Sequence, residues 1–429
     1  MILANGEISN SKESKAVLKN MRSQIIRTLD KPVLDPLLVI EACDKLAEKI
    51  AYGEYDHIIE ELKKEGIISS EQISFIILLL SKKHLLYKIG IELDKTYPKD
   101  VKWQPLNSGG KRHRKFYPLG VLFHIAAGNI DGLPAYSLVE GLLAGNINIL
   151  KLPQADKGLS ILLLSELIKI EPRLSDYIYV FDTPSYDIKT MEEMASMADG
   201  IVVWGGDQAV KAVRKGVGPN KKIIEWGHKI SFAYITEQGM KEEVLEELAY
   251  HIFDSKQLLC SSCQGIFVET NDMDMVYDFS ERFIKIMEKT AEKFPQTDIG
   301  IRGQINLHLY KEELEMATRK QGKQKIYKGK DCSIIALEEG PLQTSLMFGN
   351  CWVMPLERKN IVEKLYKQRG YLQTVGLLCA KEEKEELADI FGRAGAVRIT
   401  TGKDMSTMLL GEAHDGEYPL MQYSRIIEY

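Results

Sequence analysis

Two hydrophobic patterns divide the chain. Over the first ~95 residues apolar side chains recur mostly at helical spacing. The clearest stretches are residues 38–52 and 71–86, with Pro36 and Pro98 as breakers. From Tyr117 short apolar runs alternate with helical stretches. The runs are GVLFHIA (residues 120–126), NINILKL (146–152), YIYVF (177–181) and IVVW (201–204). Helices are predicted between and after them, over residues 133–145, 158–170, 188–197 and 208–215. Strands alternating with helices predict right-handed βαβ units and a parallel sheet. This is a Rossmann-like, nucleotide-binding layout.

A second α/β region starts near Lys229. ISFAYI (230–235) and GIFVE (265–269) read as strands, with helices over 241–253 and 272–294. Residues 312–330 are highly charged and read as exposed. SIIAL, VMPLE and GAVRITT (395–401) are later strand candidates, and the chain ends on the apolar SRIIEY. The predicted organisation is a helical region (1–95), a Rossmann-like domain (96–228), a second α/β domain (229–405) and a C-terminal segment (406–429). That last segment is a candidate for oligomerisation or for a return to the Rossmann-like domain.

Composition narrows the class. The 429 residues are 45% hydrophobic and 27% charged, ordinary for a globular protein of two or three domains. A net charge of −5 gives no reason to expect a nucleic-acid partner. No run approaches the ~18–20 apolar residues of a membrane span. The start, MILANGEISNSKESK, lacks a secretory pattern, so a cytoplasmic location is expected. Six cysteines in a chain this long are better read as reduced thiols than as a disulfide framework.

Several segments carry candidate chemistry. In DSKQLLCSSCQGIFVE (254–269), Cys260 precedes a buried strand and forms a CxxC with Cys263. Cys260 can be read as a nucleophile, a packed small hydrophobe, or half of a metal or redox pair. A zinc site would want further ligands at comparable spacing, and Cys43, Cys332, Cys351 and Cys379 are solitary. In FYPLGVLFHIAAGNIDGLP (116–134) a strand runs into a turn bearing Asn129, whose amide could donate to an oxyanion or whose backbone could merely take a left-handed turn. IVVWGGDQAVKAV (201–213) offers a glycine pair before a helix, a weak phosphate signal because GxGxxG is absent. The basic run KRHRK (111–115) reads as solvated surface or as an attractor of cofactor phosphates. His124, inside an apolar run, reads as a satisfied core histidine.

Taken in order, PLGVLFHIAAGNIDGLP, GLLAGNINILKLP, VVWGG, IIEWGHKISFAYI, QLLCSSCQGIFVE, LQTVGLL (372–378) and HDGEYPL (414–420) resemble one family. It is the LuxC-type long-chain acyl-CoA reductase family of bioluminescence operons, a branch of the aldehyde dehydrogenase superfamily. The resemblance runs from about Trp103 to the C-terminus and rests on several motifs in fixed order. It implies an aldehyde dehydrogenase-like α/β fold, with a Rossmann-type cofactor domain and an α/β catalytic domain.

The resemblance also implies roles. Cys260 matches the nucleophile, Asn129 the oxyanion asparagine, and Glu225 the base of hydrolytic members. Lys151 matches the lysine on the cofactor's adenosine ribose. Gly205 and Gly206, after Trp204, match the turn facing the cofactor pyrophosphate. Two departures stand out. His228 replaces the second glycine of the superfamily's Glu-Leu-Gly-Gly-Lys pattern. FGNCWVMPLE (348–357) is the nearest match to Glu-x-Phe-Gly-Pro and lacks the leading glutamate.

The implied activity is reduction of a fatty acyl thioester, on coenzyme A or on a protein, to the aldehyde through an acyl group on Cys260. NADPH is the expected cofactor, with NADH as the alternative. An acyl-protein synthetase partner and a homo-oligomer are expected as well. An ordinary aldehyde dehydrogenase, or a non-catalytic subunit of an acyl-transfer complex, is the alternative reading.

Overall fold

The computed structural model describes residues 1–65, 68–93, 99–103, 110–126, 132–318 and 324–429, with only the backbone of 99–103 and 110–112. The chain forms two compact units. One comprises Met1–Gly227 with Leu409–Tyr429, the other His228–Met408. The N-terminal helical region therefore belongs to the same unit as the Rossmann-like strands, and the boundary expected at residue 95 lies outside the described residues.

The first unit is built on a seven-stranded sheet. Its strands lie in the spatial order Glu7–Ser9, Ile2–Ala4, Ile178–Phe181, Ile147–Lys151, Val121–Ile125, Gly200–Trp204 and Lys222–Trp226. The last five are parallel. Their order reverses at Val121–Ile125, the switch point where doubly wound sheets bind ligands. The five inner strands are nearly all buried, because helices such as Leu133–Leu143 and Leu159–Ile170 cover the sheet with apolar side chains.

Three features of this unit depart from the sequence expectation. The N-terminus, expected to be mostly helix, begins with a hairpin turned at Asn5 and Gly6, both at positive φ, and Ile2 and Leu3 pair antiparallel with Phe181 and Val180. The helix expected over 71–86 is two helices, Ser70–Leu80 and Lys82–Glu92. Ser81 between them is extended, and its hydroxyl accepts the His84 N–H while the Lys82 N–H is held by Asp44. Pro36 breaks nothing: it is the first residue of helix Pro36–Ala51, where proline lacks only an N–H that would go unused.

A second, three-stranded antiparallel sheet in this unit joins Ser424–Glu428, Gly110–Pro118 and Lys99–Trp103. The basic run 111–115 thus lies within a strand, paired with the chain's apolar ending. Lys115 reaches over the rings of Tyr117 and Tyr429. Among the described residues no helix is long and apolar enough to cross a membrane.

The second unit holds another seven-stranded sheet, in the order Lys325–Gly329, Cys332–Ala336, Asn350–Pro355, Cys263–Val268, Ile230–Ile235, Leu372–Leu378 and Arg398–Thr401. All neighbours are parallel except the first pair. Helices Glu242–Asp254 and Met273–Ala291 bury an apolar stripe against the sheet. Residues 312–330, read as one charged stretch, divide between the end of helix Ile299–Thr318 and strand Lys325–Gly329, with 319–323 outside the described residues.

Candidate active site

Cys260 sits in the loop between helix Glu242–Asp254 and strand Cys263–Val268. The loop leaves the helix through Lys256 and Gln257, both at positive φ, a conformation costly for side-chain-bearing residues unless the surroundings hold it. Gln257 supplies that hold. Its buried amide donates to the carbonyls of Cys263 (2.8 Å) and Asn350 (3.1 Å) and accepts the Gly349 N–H (3.0 Å). Gln264 donates to the Gln257 carbonyl (2.9 Å) and accepts from the N–H and hydroxyl of Ser345. Ser231 donates its hydroxyl to the Cys260 carbonyl (2.6 Å) and accepts the Thr374 N–H (3.0 Å). Segment 348–357 enters here too, since the Phe348 N–H donates to the Lys256 carbonyl.

The two cysteines of the CxxC have opposite surroundings. Cys260 is exposed, and its Sγ accepts from Gln373 Nε2 at 3.1 Å. Cys263 is buried, its thiol donates to the Gly265 carbonyl, and burial pushes its pKa up to about 12. Burial also raises Cys43 and Cys332 to about 12, and raises Cys351 and Cys379. Among the described residues no group of three or more His, Cys, Asp or Glu could hold a metal ion. His251 beside the loop accepts the Cys263 N–H at 3.3 Å; burial lowers it to about 4, so it is a neutral acceptor.

The other predicted residues belong to the first unit. Asn129 lies outside the described residues, though strand Val121–Ile125 before it is the switch-point strand. Lys151 ends its strand almost fully buried, with Nζ donating to Ser185 at 2.9 Å, and burial lowers its pKa. Gly205 turns the chain at φ +153°, and Gly206 opens helix Asp207–Gly216 with no side-chain cap. Nothing lies within 4 Å of where a Gly206 Cβ would stand. An open glycine before uncapped helical N–H groups is suited to phosphate. Trp204 is engaged in packing: its indole N–H donates to Ser137, and its ring lies against Trp226 and His414.

Glu225 is held by Arg214 through two parallel bonds of 2.5 and 2.7 Å, which occupy both carboxylate oxygens. His124 is a fully buried core histidine between Ser137 and Asn148. Gln257, Gln264, Ser231 and Gln373 were not singled out by the sequence. The first two glutamines flank Cys260 in its motif, and Gln373 lies in LQTVGLL, but nothing local gives them partners 81 to 143 residues away.

Similar proteins place this chain in a known group. Among solved structures the fold is similar to a putative aldehyde dehydrogenase from Anabaena variabilis, with a TM-score of 0.67, 13% identity, and 98% of this chain and 93% of that chain covered. It is equally similar to glyceraldehyde-3-phosphate dehydrogenase GapN from Methanocaldococcus jannaschii, complexed with NADP, with a TM-score of 0.68, 12% identity, and 99% and 95% covered. The bifunctional proline utilization A protein matches with a TM-score of 0.70 and 14% identity, and the chain spans only 45% of its length. These likenesses establish an aldehyde dehydrogenase-like fold.

In sequence, the long-chain acyl-protein thioester reductase of Photobacterium phosphoreum is 25% identical over 370 residues, 83% of this chain and 72% of that protein. Its counterpart from Vibrio harveyi is 23% identical over 363 residues, 83% of this chain and 73% of that protein. A family model described as Acyl-CoA reductase (LuxC) matches residues 31–426. The chain therefore belongs to the acyl-CoA reductase (LuxC) family, and it is an acyl-thioester reductase on an aldehyde dehydrogenase-like fold.

Proposed function

We propose that the chain reduces long-chain acyl groups, delivered on a protein or on coenzyme A, to the free aldehyde through a thioester on Cys260. The carrying observation is the contrast among cysteines. Burial holds five thiols protonated, while Cys260 alone is exposed on a loop fixed by buried amides. A nucleophile needs both access and fixed geometry. The relatives' name, acyl-protein thioester reductase, supports a protein-bound acyl donor, and with it an acyl-protein synthetase partner. A homo-oligomer and a cytoplasmic location, where a catalytic thiol stays reduced, complete the reading.

In this reading the Cys260 sulfur attacks the thioester carbonyl, the carrier thiol leaves, and the acyl group remains on sulfur. Asn129 receives the oxyanion charge, a contribution of about 2.7–4 kcal/mol in comparable sites. The cofactor-binding domain, roughly residues 96–228, lies within the first unit, and residues 229–405 form the catalytic domain. The residues fit a nicotinamide cofactor, since Gly206 and its helix offer a phosphate seat and Lys151 a cation at a strand end; NADPH in preference to NADH follows from the family resemblance. The NADP complex of the archaeal neighbour supports that preference. When bound, the reduced nicotinamide supplies the hydride that turns the acyl thioester into aldehyde. Glu225, with both oxygens on Arg214, is a poor activator of water, which suits an enzyme that must not hydrolyse its acyl group.

The test is intact-mass spectrometry after mixing with a long-chain acyl-CoA, followed by NADPH or NADH. Wild type gains one acyl mass and releases aldehyde on addition of cofactor; Cys260→Ala does neither. Thioester reduction surviving in Cys260→Ala overturns the proposal.

A further inference from the structure

Strand Leu372–Leu378 is irregular at the end nearest Cys260. Its register against the neighbouring strand Ile230–Ile235 shifts between the pairs Ile230↔Leu372 and Phe232↔Val375, so Gln373 and Thr374 both stand opposite Ser231. On the other side of the same strand the register shifts between Ser231↔Cys263 and Ala233↔Ile266. Two bulges therefore flank Ser231. A bulge re-aims side chains that regular alternation would send elsewhere, and bulges concentrate beside active sites.

The consequences converge on one residue. Thr374 turns its N–H to the Ser231 hydroxyl, which in turn holds the Cys260 carbonyl. Gln373 is left only 7% exposed, with Nε2 at 3.1 Å from Cys260 Sγ. An amide nitrogen is a donor only, so the sulfur is the acceptor. A thiolate accepts such a bond far better than a thiol does.

We propose that Gln373 is a catalytic residue, whose side-chain amide donates to the Cys260 sulfur and stabilises it whenever it carries negative charge. The catalytic role rests on the thioester reading, in which the sulfur carries that charge twice. It is the thiolate that attacks, and it is the leaving group at the end. In that last step the carbon–sulfur bond of the thiohemiacetal breaks, its electron pair goes to sulfur, and the hydroxyl proton departs as the aldehyde carbonyl forms. A neutral amide suits both moments. It favours the thiolate without the fixed cation that would hold it too firmly to attack.

The test does not need the acyl substrate. Iodoacetamide alkylation of Cys260 is followed against pH by peptide mass spectrometry in full-length wild type, Gln373→Leu and Gln373→Glu. The inflection of Gln373→Leu is expected about one pH unit above wild type, with roughly tenfold slower alkylation on the acid side and the same alkaline plateau. Gln373→Glu, isosteric but anionic, shifts further in the same direction. A merely structural role lowers the plateau and leaves the inflection in place, and that result overturns the proposal. If circular dichroism shows Gln373→Leu unfolded, Gln373→Glu decides alone. Should Cys260→Ala retain thioester reduction, the functional reading falls while the alkylation curves still decide whether Gln373 stabilises the thiolate.

Discussion

The two units bury polarity in different ways. In the second unit the buried polar side chains around Cys260 are neutral: Gln257, Gln264, Ser231, Asn350 and Gln373. In the first unit a charged trio lies in the core. Lys88 Nζ contacts Glu92 at 2.6 Å and Glu140 at 2.9 Å, and the three side chains are at most 8% exposed. Glu92 also accepts the Leu420 N–H, tying helix Lys82–Glu92 and helix Leu133–Leu143 to the returning C-terminal segment. Neutral amides can order a reactive loop without placing a fixed charge beside its thiol. Buried charges give a stronger tie but leave a larger penalty when one member is lost.

The largest expected effect attacks that trio. Burial works against the charge on Lys88, but Glu140, Tyr136 and Glu92 outweigh it and raise its pKa. Burial raises Glu92 in spite of Lys88. Lys88→Met strands two carboxylates with no cation and should cost about 3–5 kcal/mol in urea unfolding. The triple change Lys88→Met, Glu92→Gln, Glu140→Leu should recover most of that loss, because it removes the charges together. A loss below about 1 kcal/mol for Lys88→Met would mean the trio is not a buried ionic tie.

A second comparison sets one neutral histidine in each unit side by side. Burial lowers His124 in the first unit and His251 in the second to about 4, from an ordinary 6.5. The unfolded chain therefore binds protons below about 6.5 that the folded chain refuses until about 4. Stability from these groups is full above that window, falls as the pH drops through it, and levels off below. Each histidine accounts for at most about 3 kcal/mol. Urea midpoints at pH 7 and pH 4.5 should differ less in His124→Gln and in His251→Gln than in wild type. An unchanged difference in both variants would refute the assignment. His251→Gln should also slow Cys260 alkylation at neutral pH, since it replaces the acceptor of the Cys263 N–H.

How much of the fold is legible in the sequence depends on the range of the forces involved. Four of the five parallel strands of the first unit are local events, apolar runs of four to seven residues bounded by turns, and these stand out; Lys222–Trp226, whose apolar pattern is interrupted by Glu225, does not. Cys260, Lys151 and Gly205 are singled out as candidates because the motifs that resemble the family fix residue type and order. The N-terminal hairpin is also written locally, as Asn5-Gly6 between apolar residues, but the helical character of the segments after it masks the signal. The break at Ser81 is hidden by continuous helical periodicity, since a cap interrupts the backbone and leaves the apolar stripe intact. Segment 110–118 reads as charge because its strand partner is the chain's last five-residue strand, some 300 residues away by the pairing register. Gln373 is illegible for the same reason: its meaning lies in a bulge against Ile230–Ile235, and no pattern within LQTVGLL predicts that register shift.

The smallest effect returns to the neutral side of the opening comparison. Ser231→Ala removes one hydroxyl that serves two backbone groups, the Cys260 carbonyl and the buried Thr374 N–H. Leaving that N–H unpaired should cost about 1–2 kcal/mol, less than loss of the buried lysine, because no charge is stranded. The chemical consequence is separate from the stability one. With its carbonyl released Cys260 samples more positions, so single-turnover acylation at saturating acyl-CoA should slow by roughly three- to tenfold, with little change in the pH inflection of alkylation. Gln373→Leu should move that inflection. The two variants thus divide the loop's neutral scaffold into a part that positions the sulfur and a part that carries its charge. Equal inflection shifts in both would show that the division is false, and that Ser231 reaches the sulfur through the same bulge that aims Gln373.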